Sequence, residues 1–411
     1  MVIGSLSARG FAMVAVSALL SAATAAAQSG DVSPVHDPTV IEADGRYHLF
    51  CTGRGIPHRV SEDLRTWRTV GPAIDRVPDW ATRDVPGAKF PWAPDVSRVG
   101  GEYRIYYSVS TYGSNRSAIG LLTRSTLDPD SDEAWTDGGR VVRSTPDDSF
   151  NAIDPYFATD ADGRGWLFFG SFWDGLNVLP LNPATGLAGG SPRLVAGRGG
   201  GPIEAPAVFR RGGWFYLFAS FDFCCKGADS DYNVRVGRSR NLTGPYKDRN
   251  GVLMSQGGGT PVLFGRGDVR GPGHCDVFEA GGRTLMAHHF YDAARGGRPT
   301  VQVRPLVWVD GWPAAGEPVG GDGPNRTVAG AYRHSANDGT PGTITFLPDG
   351  TLKKRPRVRW SQTGSRLTMR WPDANAPGGY WTDTLEASPD GRWYGGFNQS
   401  GALIRGVAVE Q

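Results

Sequence analysis

Cysteine is scarce in this sequence, with four residues in 411: Cys51, Cys224, Cys225 and Cys275. So few cysteines in so long a chain exclude a small domain held together by a framework of disulfides. Cys224 and Cys225 are adjacent and can pair with each other only as a vicinal bridge, so we expect buried thiols or one such bridge. No C-x-x-C pair is present, which argues against a structural zinc site.

Net charge is also small, because 43 Lys and Arg residues nearly balance 41 Asp and Glu residues. A formal net charge of +2 lacks the basic surplus that is typical of proteins that bind nucleic acids or anionic membrane surfaces. We therefore expect neither kind of partner.

Long apolar runs are confined to the start of the chain. Arg9 precedes an uncharged apolar run from Phe11 to Leu20, and small residues follow as far as Ala27. This order is typical of a secretory signal peptide over residues 1–27, and a single membrane anchor is the alternative. The sequence thus predicts a secreted protein, extracellular or periplasmic, with no membrane contact after cleavage of the signal.

Helix-favouring composition is lacking too, whereas 59 glycines and 30 prolines suit short strands joined by turns. Five segments share a glycine-containing turn followed by an aromatic-rich strand, and they begin at Gly45, Gly101, Gly163, Gly212 and Gly282. Steps of roughly 50 to 70 residues match the size of a propeller blade. We predict an all-β protein whose residues 28–315 form a five-bladed β-propeller. The competing fold, a β-sandwich lectin, does not predict five similar units.

The sequence changes character after Trp312. Pro313 to Asn325 is rich in Gly and Pro and predicts a linker. Beyond it, alternation of period two and the turn LPDGT predict a small C-terminal antiparallel β domain, a barrel or a sandwich, over residues 326–411. Its role stays open between an accessory domain, which packs on the propeller or touches substrate, and a spacer.

An acidic residue lies six to nine residues upstream of each repeated glycine: Asp37, Asp95, Asp154, Glu204 and Asp276. The first strand of a propeller blade lines the central axis, so the repeat predicts five carboxylates around one funnel. A proline follows both Asp37 and Asp154, which favours an extended conformation for these two residues. Carboxylates collected in this way can activate water and protonate a leaving group, which is how a glycosidic bond is hydrolysed with inversion.

Several stretches resemble family 43 of the glycoside hydrolases, specifically its endo-α-1,5-L-arabinanases. They include HDPTVI, WAPDV, YYSVSTYGSNRSAIGL, NAIDP, FGSFWDG, GPIEAP, FASFDFCCKG and GPGHCDVF, and the resemblance spans residues 35–312. It implies that Asp37 is the general base, Glu204 the general acid and Asp154 a third carboxylate that tunes the acid. It also implies an ion, usually calcium, held by His274 and waters, although Cys275 stands where Asn is more usual.

Sugar binding is expected around the same funnel. Aromatic rings stack on the flat faces of sugars, so Trp92, Phe172 and Trp173 are candidates, with packing between blades as the alternative for each ring. Side-chain hydrogen bonds from Asn151 and Ser171, and close approach of the backbone at Gly113, are further candidates. The resemblance implies that the subsites around the cleaved bond are lined by Asp37, Trp92, Gly113, Asn151, Ala152, Ile153, Asp154, Ser171, Phe172 and Trp173.

These observations together predict a secreted, monomeric, endo-acting hydrolase. The expected substrates are arabinan and arabino-oligosaccharides, whose internal α-1,5-L-arabinofuranosidic bonds would be cleaved with inversion. Two alternatives stay open: an exo-acting α-L-arabinofuranosidase or β-xylosidase of the same fold, and a non-catalytic carbohydrate-binding propeller. The second alternative predicts the loss of a catalytic carboxylate, and all three are present.

Overall fold

The computed structural model describes residues 28–318, 326–337 and 339–409. The predicted signal peptide, residues 1–27, lies outside this range. Within the described residues the only α-helix is α1 (Asp79–Asp84), and four 3₁₀ turns occur at Gly227–Asp229, Met254–Gln256, Ala293–Arg295 and Pro377–Gly379. None of the helices in the described part of the chain has the length and apolar character needed to cross a bilayer.

Five sheets, antiparallel except for the short first strand of the chain, form the blades of the predicted propeller. Blade 1 holds β1 (Ser29–Gly30), β2 (Thr39–Ala43), β3 (Arg46–Phe50), β4 (Pro57–Ser61) and β5 (Thr66–Pro72). Blade 2 holds β6 (Trp92–Val99), β7 (Glu102–Val109), β8 (Ser117–Arg124) and β9 (Thr136–Ser144). Blade 3 holds β10 (Tyr156–Thr159), β11 (Gly165–Phe169), β12 (Leu176–Pro180) and β13 (Arg193–Ala196). Blade 4 holds β14 (Ile203–Arg211), β15 (Trp214–Phe221), β16 (Asn233–Ser239) and β17 (Thr260–Leu263), and blade 5 holds β18 (Val269–Ala280), β19 (Arg283–Asp292), β20 (Arg298–Val309) and β21 (Trp312–Ala315).

The aromatic-rich segments of the repeat are the second strands of the blades: β3, β7, β11, β15 and β19. Each pairs with strands on both sides and is buried over most of its length. A strand buried on both faces reads as a continuous apolar run rather than an alternation. Tyr106 of β7, for example, packs with Leu167 and Phe169 of β11 in a cluster that joins blades 2 and 3.

The first strands of the blades, β2, β6, β10, β14 and β18, form the inner ring. Each contacts the next, and β18 returns to contact β2. This closed order confirms the five-bladed propeller and the expectation that the first strand of each blade, which carries or follows the acidic residue, lines the axis.

An N-terminal segment ties the last blade to the first. β1 pairs in parallel with β5 of blade 1. A few residues later the Val35 N–H donates to the Pro299 carbonyl, and the Val301 N–H of β20 donates to the Val32 carbonyl (both 3.0 Å). Residues 29–35 therefore form a strap across the seam where the ring closes.

The C-terminal domain is a closed eight-stranded barrel, which resolves the open choice between barrel and sandwich. Its strands are β22 (Gly330–Ala336), β23 (Gly342–Phe346), β24 (Thr351–Leu352), β25 (Arg355–Thr363), β26 (Arg366–Pro372), β27 (Tyr380–Ala387), β28 (Trp393–Asn398) and β29 (Leu403–Ala408). Full closure leaves no unpaired edge strand.

The barrel packs directly on blade 5. Phe397 and Leu403 share a buried cluster with Val309 and Trp312, and Arg405 forms an ion pair with Glu317 at 2.6 Å. The predicted linker was placed too early, because Trp312–Ala315 forms β21, the outer strand of blade 5. Gly and Pro content marked the segment as irregular, but burial of this short edge strand against the barrel outweighs that preference.

Asp383 is a carboxyl group inside the barrel that should make stability depend on pH. It is 3% exposed, and its Oδ2 accepts a hydrogen bond from Trp371 Nε1 at 2.6 Å. Burial raises the pKa of Asp383 to about 6, and the Trp371 hydrogen bond opposes the rise. Because the folded pKa exceeds the unfolded one, this group favours folding at low pH and loses that contribution as the pH rises from about 4 to about 6.

We therefore expect Asp383→Asn to raise the free energy of unfolding at pH 8 by as much as about 3 kcal/mol, because a neutral amide carries no charge to bury. The advantage should disappear near pH 4, where the native carboxyl is already neutral. Urea unfolding of both proteins at the two pH values measures this. An equal difference at both pH values would contradict the assignment.

Candidate active site

Three carboxylates from three blades meet in one pocket at the mouth of the propeller. Asp37 lies just before β2, Asp154 just before β10, and Glu204 within β14. All three line a cavity of about 780 Å³, and each is less than a tenth exposed. The side chains that are far apart in sequence are thus brought together as predicted.

The expectation of five carboxylates around this pocket was wrong, because Asp95 and Asp276 do not line it. Asp95 Oδ2 accepts the Phe157 N–H at 2.8 Å, and Asp276 Oδ2 accepts the Val40 N–H at 2.7 Å. These two carboxyl groups join neighbouring inner strands, and Thr39 adds a hydroxyl contact to Asp276 at 3.2 Å. They form a structural layer separate from the pocket.

A backbone irregularity at the top of every inner strand explains the separation. One non-glycine residue in or just before each has positive φ: Asp37 at 52°, Ala93 at 39°, Asp154 at 57°, Ala205 at 54° and His274 at 46°. Asp95 and Asp276 come two residues after this position. Residues two apart on a strand share a face but lie at different heights along it.

The expectation that proline keeps Asp37 and Asp154 extended was also wrong. Both residues occupy the left-handed region, which is unusual for a residue other than glycine. Such strain costs about 1–3 kcal/mol and persists where the surroundings over-determine it. Here the strain turns the two side chains into the pocket, and the closed ring of strands supports it.

Asp37 is surrounded by donors. Its Oδ1 lies 2.8 Å from His36 Nδ1 and 3.1 Å from His274 Nδ1, and its Oδ2 accepts the Thr52 hydroxyl at 2.5 Å. Burial alone would raise the pKa of Asp37, but His36 and His274 outweigh burial and hold the pKa well below its ordinary value. This carboxylate is therefore kept ionised, as a general base must be.

Glu204 and Asp154 have different surroundings. The Glu204 carboxyl accepts hydroxyl hydrogen bonds from Ser171 at 2.6 Å and from Tyr232 at 2.7 Å. Asp154 Oδ2 accepts the Ala205 N–H at 3.2 Å. Burial raises the pKa of Asp154 well above its ordinary value; His274 opposes the rise, and the charges of Glu204 and Asp37 add to it. Asp154 thus belongs to the same electrostatic unit as Glu204.

Most residues predicted to bind substrate line the pocket. They are Asp37, Trp92, Gly113, Asn151, Ile153, Asp154, Ser171, Phe172 and Trp173. Ala152 is the exception, because its side chain is fully buried in the cluster between blades 2 and 3. Residues 151–154 lie outside the strands, and Ala152 packs between the blades while Asn151, Ile153 and Asp154 face the cavity.

Two of these residues differ in detail from expectation. The Ser171 hydroxyl is committed to Glu204 rather than left for a sugar. At Gly113 φ is 75°, and an added Cβ would meet nothing within 4 Å. Backbone conformation rather than space therefore favours glycine there.

Sequence reasoning missed several parts of the pocket. Exposed rings extend its rim: Tyr112 at 85%, Phe223 at 41% and Phe90 at 36% exposure. The pocket wall also includes the Cys224–Cys225 disulfide, whereas Cys51 and Cys275 are buried thiols. His36 directly precedes Asp37 in the HDP motif, and this adjacency could have identified it as a pocket residue. Nothing in the sequence around Tyr232 indicated its hydrogen bond to Glu204.

The residues around His274 fit a cation that is held largely by water. Burial would lower the pKa of His274, but Asp37 above all, with Asp154 and Glu204, raises it to about 9. The same negative surroundings favour a cation beside the ring. Calcium takes six to eight oxygen ligands, and the protein offers few there, so waters would supply most of them.

Another potential donor group is formed by His36, Asp37 and His289, whose ligand atoms lie within 4.8 Å of one another. It is rich in nitrogen and suits transition metals better than calcium.

Comparisons with known proteins agree with this geometry. The family model described as "Glycosyl hydrolases family 43" matches residues 33–313. The extracellular endo-α-(1→5)-L-arabinanase 1 of Bacillus subtilis (strain 168) is 40% identical over 288 residues, which is 68% of this chain and 87% of that protein. The extracellular exo-α-(1→5)-L-arabinofuranosidase of Cellvibrio japonicus (strain Ueda107) is 39% identical over 300 residues, which is 69% of this chain and 86% of that protein.

A solved structure also covers the barrel. The endo-1,5-α-L-arabinanase from Thermotoga petrophila RKU-1 matches with a TM-score of 0.78 at 25% identity, over 92% of this chain and 98% of that one. The arrangement of propeller and barrel is therefore shared with another protein.

Removal of the Tyr232 hydroxyl should destabilise the site. In Tyr232→Phe one Glu204 oxygen loses its donor, and we expect the free energy of unfolding to fall by about 1–3 kcal/mol. Tyr107→Phe is a matched control, because the buried Tyr107 hydroxyl has no hydrogen-bond partner among the described residues. Urea unfolding of the two variants should separate them, and equal losses would contradict the hydrogen bond to Glu204.

Proposed function

This chain belongs to family 43 of the glycosyl hydrolases, and from that premise we propose that it is a secreted endo-arabinanase. It cleaves internal α-1,5-L-arabinofuranosidic bonds of arabinan and arabino-oligosaccharides with inversion of configuration. The observation that carries the proposal is the meeting of Asp37, Asp154 and Glu204 in one pocket, each with a different environment.

The different environments suit different roles. Asp37 is buried but held ionised by His36 and His274, so it can take a proton from an attacking water. Glu204 is held in position by the Ser171 and Tyr232 hydroxyls and donates a proton to the departing sugar oxygen. Asp154 contacts the Glu204 strand through the Ala205 N–H and orients the acid beside it. Inversion follows if base and acid act from opposite faces of the sugar, with water between base and anomeric carbon.

The rim of the pocket supports endo action. Phe90 and Tyr112 lie on the loops before β6 and after β7, whereas Phe223 lies on the loop after β15 in blade 4. Aromatic surfaces on non-adjacent blades offer stacking sites on more than one side of the cleaved bond. A polymer that crosses the mouth needs such sites on both sides.

An exo-acting arabinofuranosidase is the second candidate, and the 39% identity to the Cellvibrio japonicus enzyme favours it. Linear arabinan digestion followed by chromatography separates the two candidates. Early release of mixed oligosaccharides supports endo action, whereas release of one short product from the start supports exo action. Aryl-xyloside hydrolysis would point to a β-xylosidase, and binding without hydrolysis would point to a non-catalytic propeller.

Export and a monomeric state complete the proposal. The predicted signal over residues 1–27 supports export, as do the two relatives, which are described as extracellular. The barrel buries its contact surface against blade 5 of its own chain, which is consistent with a monomer.

Substitution of the proposed acid or base should remove hydrolysis. We expect Glu204→Gln and Asp37→Asn to lower kcat on linear arabinan by about 10²–10⁴-fold, because a positioned proton donor or acceptor is lost. Asp147→Asn, an exposed carboxyl outside the pocket, is the control and should keep full activity. Proton NMR of the first product reports its anomeric form. Retained configuration, or full activity of either pocket variant, would contradict the proposed mechanism.

We also propose that a calcium ion sits beside His274, held mainly by waters. When bound, it would supply positive charge next to the three carboxylates. We expect about one calcium per chain by elemental analysis, and a melting temperature that falls with a chelator and recovers with calcium. His274→Gln should reduce the response. A metal-free protein whose melting temperature ignores both chelator and calcium would contradict this proposal.

A further inference from the structure

The Cys224–Cys225 disulfide lies on the pocket wall but has no part in the proton transfers proposed above. It follows β15 on the loop that leads to β16, and the bridge closes a small ring through the peptide bond between the two residues. Cys225 is exposed and Cys224 is half-buried, and both line the cavity with the carboxylates.

Hydrogen bonds connect this disulfide to Asp37. The Cys225 N–H donates to Tyr291 Oη at 2.7 Å, and Tyr291 Oη lies 2.7 Å from His36 Nε2. His36 Nδ1 in turn lies 2.8 Å from Asp37 Oδ1. Cys225 Sγ itself is 3.8 Å from His36 Nε2 and 3.7 Å from the Tyr291 hydroxyl.

One arrangement of these hydrogen bonds favours a particular form of the His36 ring. Tyr291 Oη accepts from the Cys225 N–H, and its own proton has two possible acceptors, of which His36 Nε2 at 2.7 Å is closer than Cys225 Sγ at 3.7 Å. A neutral His36 that accepts at Nε2 carries its proton on Nδ1, where it faces Asp37 Oδ1. The chain of donors therefore runs from the Cys225 backbone towards the carboxylate.

The disulfide holds the first donor in place. Cys225 has φ of 67°, a conformation that is unfavourable for a residue with a side chain unless its surroundings impose it. Opening the ring frees Cys225 to return to negative φ, and its N–H then turns away from Tyr291. The Tyr291 hydroxyl is no longer directed, so it can accept from His36 Nε2 instead, which would leave a bare Nδ1 facing Asp37.

We propose that the Cys224–Cys225 disulfide is a positioning element for Asp37, which acts through Tyr291 and His36. The inference rests on the proposed function of Asp37 as the base that activates water. It assigns the vicinal pair a role beyond lining the sugar-binding wall, and it makes hydrolysis depend on the oxidised state of the two sulfurs.

Reduction of the purified full-length protein with a water-soluble phosphine tests the proposal. The phosphine takes up oxygen from water and becomes its oxide, and the disulfide gains two electrons and two protons to give two thiols. We expect kcat and kcat/KM on linear arabinan to fall together by about ten-fold, because the base is misaligned while sugar contacts remain. Reoxidation should restore the rate.

Two variants separate positioning from loss of structure. Tyr291→Phe keeps the ring but removes the hydroxyl, so it should show the same loss of kcat and no further response to reduction. The double variant Cys224→Ala/Cys225→Ala should match the reduced protein and also ignore the phosphine, which controls for the buried thiols Cys51 and Cys275. Unfolding curves must show each protein folded at the assay temperature.

Three outcomes would overturn the proposal. The first is an equal kcat before and after reduction, and the second is a change confined to KM. The third is a further loss of kcat when Tyr291→Phe is reduced, as large as the loss in the unsubstituted protein. An independent readout is the tautomer of His36, from long-range ¹H–¹⁵N spectra at pH 8. The Nδ1-protonated form should dominate in the oxidised protein and decline on reduction. If the oxidised protein does not hydrolyse arabinan, the proposed function fails, whereas an unchanged His36 tautomer on reduction contradicts the positioning role alone.

Discussion

The site depends on one backbone constraint, the residue of positive φ at the top of each inner strand. In a regular strand the side chains next to the axis would follow one another at even heights along it. The irregularity turns Asp37 and Asp154 towards the mouth and brings the Ala205 N–H to Asp154. Each such residue is costly in isolation, but five strands that contact one another in a closed ring leave little room for relaxation. Packing of the whole ring thus offsets the strain of these residues.

The same geometry gives the three carboxyl groups of the pocket different electrostatic surroundings. Asp37 has two imidazoles at its Oδ1, whereas Glu204 has only hydroxyl donors and Asp154 has a backbone N–H. Within one cavity the pKa of Asp37 is therefore lowered, whereas the pKa of Asp154 is raised. Below them, Asp95 and Asp276 accept hydrogen bonds from backbone N–H groups of neighbouring strands. Aspartates thus line the pocket at one height and join neighbouring inner strands at the next.

The sequence was sufficient for the parts of the structure that repeat. Glycine turns and aromatic strands predicted the blades, and period-two alternation predicted the C-terminal β domain. The acidic motifs predicted the convergence of Asp37, Asp154 and Glu204. The height of Asp95 and Asp276 could not be predicted, because it depends on a two-residue offset from the left-handed residues Ala93 and His274, which no local pattern marks. Contacts such as Tyr232 with Glu204 join distant segments and leave no local pattern, and the burial that makes a strand of Trp312–Ala315 comes from the barrel.

The strap formed by residues 29–35 has a consequence for the order of events during synthesis. These residues leave the ribosome before any complete blade, yet their partners at Pro299 and Val301 are made more than two hundred and fifty residues later. Until then the ring has an open seam between its first and last blades, with unpaired backbone groups on both sides. Such long-range pairing is slow and exposes partly folded chains to association. A nascent propeller of this kind must therefore be kept apart from its neighbours until nearly all of its length has been translated.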